Sequence, residues 1–238
     1  MQILDQISLI AKQMGIVPFI CGGIPRDRVV GNATDFHDID ITTGDETIHQ
    51  LAQSVHDAIP GEFKIAGDGH AQLVSDNLKI DFSSNFINPM AAELLGKVGL
   101  NNPTNMQLEL YSRDFTCNAL LMTMDLKIIN DTIGLGIQDI KEKKIRTCLP
   151  SAVTLGIDNR RIIRAVYLAC KLGFEVDPEI ISWVSRNPSV IANVDDKYVT
   201  GKLNQAIKYN INKTVELINK MGITKYIPIG ANLAPYVK

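Results

Sequence analysis

Apolar and polar positions change period along this chain, and the changes mark its elements. Residues 2–14 read as an amphipathic helix, and VPFICG at 17–22 as an apolar strand. A Gly-Gly loop then opens a short helix near 25–30. In HDIDITT at 37–43, Ile39 and Ile41 alternate with Asp38 and Asp40, which is strand period. A helix at about 45–58 follows, then short strands near 63–66, 71–75 and 78–84, separated by Gly-Asp-Gly and Asp-Asn turn signals. Residues 85–112 carry Asn-Pro and Asn-Asn-Pro with little periodicity, and read as a mobile loop with one short helix. ALLMTMD and KIIND suit a hairpin at 119–130. After Cys148 the pattern is helical to the end. Ile157, Ile162, Ile163, Val166, Leu168, Ala169 and Leu172 suit a helix with a broad buried face. Further helices are expected at 178–186, 196–209 and 212–221. The pattern divides the chain into 1–148 and 149–238, with no internal repeat.

Composition narrows the class. At 238 residues and 45% hydrophobic content, the chain can bury a sizeable core in one or two domains. No apolar run reaches the ~18 residues of a membrane-spanning helix. The N-terminus carries Asp5 and reads as a helix, not a signal peptide. Cys21, Cys117, Cys148 and Cys170 are far apart, which suits small buried residues in a reduced compartment. A cytoplasmic enzyme is therefore expected. The net charge of −2 conceals an asymmetry. Residues 1–60 carry a net −5, while 141–171 and 197–238 each carry +6. An acidic first part and a basic second part suit delivery of a metal to a polyanion. The plainer alternative for the C-terminal lysines is a set of solvated helix faces.

The chemistry concentrates in GGIPRDRVVGNATDFHDID at 22–40. On a strand, Asp38 and Asp40 project to the same face. Two carboxylates about 5 Å apart repel by roughly 3 kcal/mol at an effective dielectric of about 20. A cation between them removes that cost, and oxygen ligands favour Mg²⁺ or Mn²⁺. Gly22 and Gly23 expose backbone N–H groups suited to phosphates near a helix N-terminus. A phosphate cradle beside a metal-binding carboxylate pair is equipment for phosphoryl or nucleotidyl transfer.

These residues resemble the head of the class II tRNA nucleotidyltransferase and poly(A) polymerase family, within the polymerase β nucleotidyltransferase superfamily. The family pattern is GG-x-V-R-D, a Gly, then D-x-D; Pro25 alone departs from it. Arg26 and Asp27 fall in its R-D. Asp81 in LKIDFSS stands where the family has E-V-T-T-F-R, although the family's closing arginine is absent. The resemblance makes Asp81 a third active-site carboxylate, holding metal or taking a proton from the attacking hydroxyl. The alternative is a strand-end acid paired with a lysine. SRDFTCNALLM at 112–122 is similar to R-R-D-F-T-I-N-A, with Ser112 for the first arginine. It implies that Arg113 and Asp114 engage the nucleotide sugar and that Asn118 holds the turn or approaches the nucleotide. Asp131, Gly134, Gly136 and Asp139 resemble D-x-x-G-G-x-x-D-L with one residue inserted, and read as a structural hinge.

GIDNRRIIRAVYLACKLGF at 156–174 resembles E-D-P-L-R-I-L-R-A-x-R-F-A. The resemblance gives Asp158 and Arg161 the base edge to read, from one helix face at i, i+3 spacing, with Arg164 extending that face. An intrahelical salt bridge is the alternative. Ile157 and Asn159 replace the family's Glu and Pro.

The resemblance implies an α+β fold, with an N-terminal nucleotidyltransferase head of mixed or antiparallel sheet flanked by helices, then an all-helical neck and shortened body. It implies a template-independent nucleotidyltransferase that adds CMP or AMP, from CTP or ATP, to an RNA 3′ end. CCA addition to tRNA, its repair, or oligoadenylation would each fit. A nucleotidyltransferase acting on a small molecule or protein, or a non-catalytic RNA-binding head, are the other readings.

Overall fold

The computed structural model describes residues 3–32, 37–66, 69–87 and 89–228. Residues 33–36 of the first motif and 67–68 of the Gly-Asp-Gly turn lie outside the described residues. The chain forms two compact units that divide between Ile140 and Lys141, earlier than the boundary at 148 expected from hydropathy.

The first unit is built on a seven-stranded sheet. Its elements run α1 (Ile3–Met14), β1 (Phe19–Cys21), α2 (Gly23–Val30), β2 (Asp38–Thr42), α3 (Thr47–Ala58), β3 (Glu62–Ile65), β4 (Ala71–Ser75), β5 (Leu78–Phe82), α4 (Pro89–Lys97), α5 (Asn105–Tyr111), β6 (Leu121–Thr123), β7 (Ile129–Asn130) and α6 (Gly136–Lys141). The strand order is β3-β4-β5-β2-β1-β6-β7. Only β2 and β5 pair in parallel; the other neighbours are antiparallel. The mixed sheet expected from the sequence is therefore present.

One face of this sheet is apolar. Ile20, Ile39, Ile41, Leu73, Ile80 and Phe82 are buried and in register across β1, β2, β4 and β5. In α3 the buried positions Ile48, Leu51, Ala52 and Val55 follow helical spacing, and α3 packs on β4 and β5. Leu4, Ile7 and Ala11 of α1 are buried as well, and α1 packs on α3. Each fully buried aliphatic side chain contributes about 1.5–3 kcal/mol. This layer fixes the register, because a slip of one residue would turn every isoleucine to the polar face.

The expected mobile loop at 85–112 is instead two helices, α4 and α5, with a 3-10 turn at Asn85–Ile87. A capping box starts α5: Thr104 accepts from the Gln107 N–H at 3.2 Å, and Gln107 returns a bond to the Thr104 N–H at 2.9 Å. Leu95 of α4 and Leu108 and Leu110 of α5 are buried. The helices are too short for a clear periodicity, which is why the pattern reads as a loop.

The second unit holds β8 (Lys144–Ile145), α7 (Ser151–Ile157), α8 (Arg160–Leu172), β9 (Glu175–Val176), α9 (Pro178–Arg186) and α10 (Asp196–Lys220). It is not purely helical, since β8 and β9 pair in parallel. The two helices expected at 196–209 and 212–221 are present: α10 is broken at Asn210, whose backbone is not helical and whose side chain accepts from the Lys213 N–H at 2.9 Å to start the second stretch. Ile157 is 38% exposed and does not join the buried face of α8. Among the described residues, no helix is long and apolar enough to cross a membrane.

Candidate active site

The polar face of the sheet follows from the same register. Asp40 of β2 sits opposite Asp81 of β5, and Asp38 sits opposite Lys79. On the far side of β5, Gln72 of β4 sits opposite Asp81; on the near side of β2, Cys21 of β1 sits opposite Asp40. Strand alternation places Gln72, Asp81, Asp40 and Cys21 in one row, with Asp38 and Lys79 one pleat along on the same face. Thus Asp38 and Asp40 share a face, as their spacing predicts, and the parallel register adds Asp81 to it. Asp38 is well exposed and Asp40 and Asp81 are half-buried.

Lys79 is a member of this cluster that motif reading misses. Its Nζ lies 3.3 Å from Asp38 Oδ1 and donates to Asp81 Oδ2. Gln72 Nε2 donates to the other Asp81 oxygen at 2.7 Å. Partial burial works against the ammonium, but its bonds to Asp81 and Asp38 outweigh it and raise its pKa above the ordinary lysine value. The signal was in the sequence: Lys79 precedes Asp81 by one strand period.

Gly22 lies directly against Asp40. A Cβ on Gly22 would sit 2.1 Å from Asp40 Oδ2, and the residue has φ 74°, a left-handed conformation that favours glycine. It precedes α2, whose first turn contains Pro25; proline is tolerated there because its missing N–H has no intrahelical acceptor. Gly31, also left-handed, closes α2.

Arg26 ties α2 to the 116–118 turn. Its side chain is buried; Nη1 donates to Asn118 Oδ1 at 2.6 Å, and Nε to Asp27 Oδ1 at 2.8 Å. Asn118 Nδ2 donates in turn to Asp114 Oδ1 at 3.0 Å. Asp27, Arg26, Asn118 and Asp114 thus form one network joining the glycine loop to the SRDFTCN segment. That segment is braced from behind: Thr116 donates to Asp139 at 2.7 Å, and a Cβ on Gly136 would strike the Thr116 carbonyl at 2.6 Å. Asp131 accepts from the Gly134 and Ile137 N–H groups, both at 2.9 Å.

Arg113, which the resemblance set at the nucleotide sugar together with Asp114, turns instead into a second buried network. Its Nη2 reaches Glu109 Oε1 and Cys21 Sγ, both at 2.8 Å, with Ser83 Oγ at 3.2 Å. Glu109, wholly buried, also accepts from Ser83 at 2.6 Å and Asn85 at 3.1 Å. Removing one partner of such a buried pair costs about 3–5 kcal/mol. Burial pushes the Cys21 thiol well above its ordinary pKa, so it stays neutral. Sequence reading missed Glu109 because it lay in the supposed loop, although its i, i+4 spacing to Arg113 was visible.

Hard oxygen donors on one face fit a divalent cation at Asp38 and Asp40. Among the described residues, no group of three or more His, Cys, Asp or Glu side chains could hold a metal ion by itself. A family model described as the poly A polymerase head domain matches residues 18–146, more than half of the chain. The chain belongs to the poly A polymerase head domain family.

The relatives agree in kind. The chain is 28% identical over 184 residues to a CCA-adding enzyme of Bacillus pumilus, covering 76% of this chain and 43% of that protein. It is 26% identical over 201 residues to a CC-adding tRNA nucleotidyltransferase of Geobacter sulfurreducens, covering 83% and 42%. The fold resembles a Bacillus stearothermophilus CCA-adding enzyme solved in complex with CTP, at TM-score 0.76 and 21% identity, covering 98% of this chain and 55% of that one. The chain spans less than half the length of these two curated relatives. Nucleotidyltransferases of the poly A polymerase head domain family generally depend on a divalent metal.

In the second unit of this family member, Asp158 departs from expectation. It has extended backbone and precedes α8, so it does not share a helix face with Arg161. It forms a bidentate pair with Arg160, Nε to Oδ1 at 2.8 Å and Nη2 to Oδ2 at 2.9 Å. Burial opposes the Asp158 charge, but Arg160 outweighs it and holds the carboxyl below its ordinary pKa. Arg161 donates to the Thr154 carbonyl at 3.3 Å, and Arg164 is exposed.

The contact between Gly22 and Asp40 is testable by a double-mutant cycle. Gly22→Ala is expected to destabilise the protein by more than the roughly 1–2 kcal/mol of a left-handed alanine, because its methyl strikes the carboxylate. In Gly22→Ala/Asp40→Ala the clash is gone and the backbone strain remains. Urea unfolding should therefore give a double-mutant cost below the sum of the singles by about 1 kcal/mol or more. Additive costs would contradict the contact.

Proposed function

We propose that this chain is the catalytic portion of a template-independent nucleotidyltransferase. It transfers CMP or AMP from CTP or ATP to an RNA 3′ end, with tRNA CCA addition or repair as the leading case and oligoadenylation as the variant. The carrying observation is the row formed by Asp40 and Asp81 in register across β2 and β5, with Asp38 on the same face and Gly22 against Asp40. Membership of the poly A polymerase head domain family supports it, as do the names of its relatives.

Asp38 and Asp40 hold Mg²⁺ or Mn²⁺ in this reading. Held there, such an ion would supply Lewis-acid polarisation of the reacting phosphate and acceptor hydroxyl and would offset charge on the leaving pyrophosphate. The Gly22–Gly23 backbone receives the triphosphate at the start of α2, and Arg26 and Asp27 hold that helix in place. Asp81 serves as the third carboxylate. Asp114 takes the sugar with Asn118 orienting it, and Arg113 anchors the same segment through Glu109. Base choice belongs to Asp158 and Arg161, and requires Asp158 to exchange Arg160 for a base edge. The setting is cytoplasmic.

The RNA acceptor has its own support in the second unit. Lys202 Nζ lies 4.7 Å from the centre of the Tyr167 ring, which meets Tyr209 edge-on at 6.1 Å. Tyr209 is 54% exposed. Burial, then the positive charges of Arg164 and Lys171, lower the Lys202 pKa below the ordinary lysine value. Clustered cations interleaved with aromatic rings suit a single-stranded polyanion whose bases can stack. Arg164 belongs to this surface, which would engage phosphates in a salt-dependent manner.

The experiment is extension of a tRNA lacking its terminal CCA, with Mg²⁺ and each labelled nucleoside triphosphate supplied separately. The wild-type protein should extend the RNA, and Asp38→Ala or Asp40→Ala should abolish extension while remaining folded by circular dichroism. Extension at wild-type rate by either variant, or label transferred only to a small molecule or protein, would overturn the reading.

In the same assay, Arg161→Ala should lose discrimination among the four triphosphates by roughly 10- to 100-fold, the cost of one unpaired polar group in a site. Unchanged preference would place base reading elsewhere.

A further inference from the structure

Two of the three carboxylates on the polar face, Asp38 and Asp81, already share a cation. Lys79 is placed among them by backbone register, opposite Asp38 and one strand period from Asp81. Its ammonium contacts both acids. With Gln72 on Oδ1 and Lys79 on Oδ2, both oxygens of Asp81 have protein donors. Asp38 is 65% exposed and Asp81 26% exposed, so the carboxylates that the ammonium contacts are open to solvent. The Lys79 side chain is itself 39% exposed, and its flexible four-carbon stem can turn aside.

We propose that Lys79 is a tethered counter-cation that competes with divalent metal for this site: it holds Asp81 away from the metal and keeps metal binding weak until a nucleoside triphosphate arrives. The electrostatics require this direction. A fixed positive charge within a few ångströms of Asp38 and Asp81 cancels part of the potential that attracts a divalent ion. A bound triphosphate adds negative charge and offers the ammonium an alternative partner. The protein alone is thereby spared the repulsion among its own carboxylates, and the metal enters chiefly with the nucleotide. The proposal rests on the reading of Asp38 and Asp40 as the metal pair.

Binding of Mn²⁺ to the nucleotide-free protein, followed by the electron paramagnetic resonance signal of the free ion, tests it without turnover. Lys79→Met should tighten Mn²⁺ binding by about tenfold or more, while Lys79→Arg, which keeps the charge, should bind like the wild type. Adding a non-hydrolysable triphosphate should narrow the difference between Lys79→Met and the wild type. The Met variant should also melt lower than the wild type without metal and recover when Mn²⁺ is added. Lys79→Gln serves as a second neutral variant; a variant that folds only with Mn²⁺ would support the proposal. Equal Mn²⁺ affinity in the wild type and both neutral variants, with loss of binding in Asp40→Ala, would overturn the role of Lys79 and leave the metal pair standing. Mn²⁺ binding that is unaffected by Asp40→Ala would overturn the metal pair, and this proposal with it.

Discussion

The rest of the site depends on one constraint, the parallel pairing of β2 with β5. Ile39, Ile41, Ile80 and Phe82 drive that pairing by burying the opposite face against helices. Their combined burial, at about 1.5–3 kcal/mol each, exceeds the roughly 3 kcal/mol of repulsion between two neighbouring carboxylates. The core can therefore hold Asp38, Asp40 and Asp81 together, with Lys79 offsetting part of their repulsion. The acids are not gathered by their own interactions. They stand where the isoleucines of the other face leave them.

Two polar networks then fix what lies beside the carboxylates. Arg26 and Asn118 couple α2 to the segment carrying Asp114. Glu109 and Arg113 couple α5 to Ser83 at the end of β5 and to Cys21 at the end of β1. The glycine loop, the SRDFTCN segment and the carboxylate strands are thus tied by buried bonds within one unit. Gly22 completes the arrangement, since any side chain there would occupy the space of the Asp40 carboxylate.

Period-two alternation made much of this legible. Asp38 and Asp40 on one face and the boundaries of most helices follow from patterning and turn residues, while Asp81 was picked out by the family resemblance. What escaped did so for physical reasons. Helices α4 and α5 are too short for hydrophobic periodicity to emerge, and with them Glu109 was lost. Lys79 was visible by spacing but carries no motif; its role comes from which strand lies beside it, a long-range fact. Asp81 pairs with a lysine, which was the plainer of its two readings, and it also stands in the row with Asp40. The helix-face argument for Asp158 failed because local bonding to Arg160 keeps it outside α8.

The most direct measurement is anomalous diffraction from crystals grown with Mn²⁺ and a non-hydrolysable nucleoside triphosphate. The account predicts manganese bound by carboxylate oxygens of Asp38 and Asp40, with the triphosphate against the Gly22–Gly23 backbone. Manganese and nucleotide bound together at another place, with Asp38 and Asp40 making no contact to either, would contradict it.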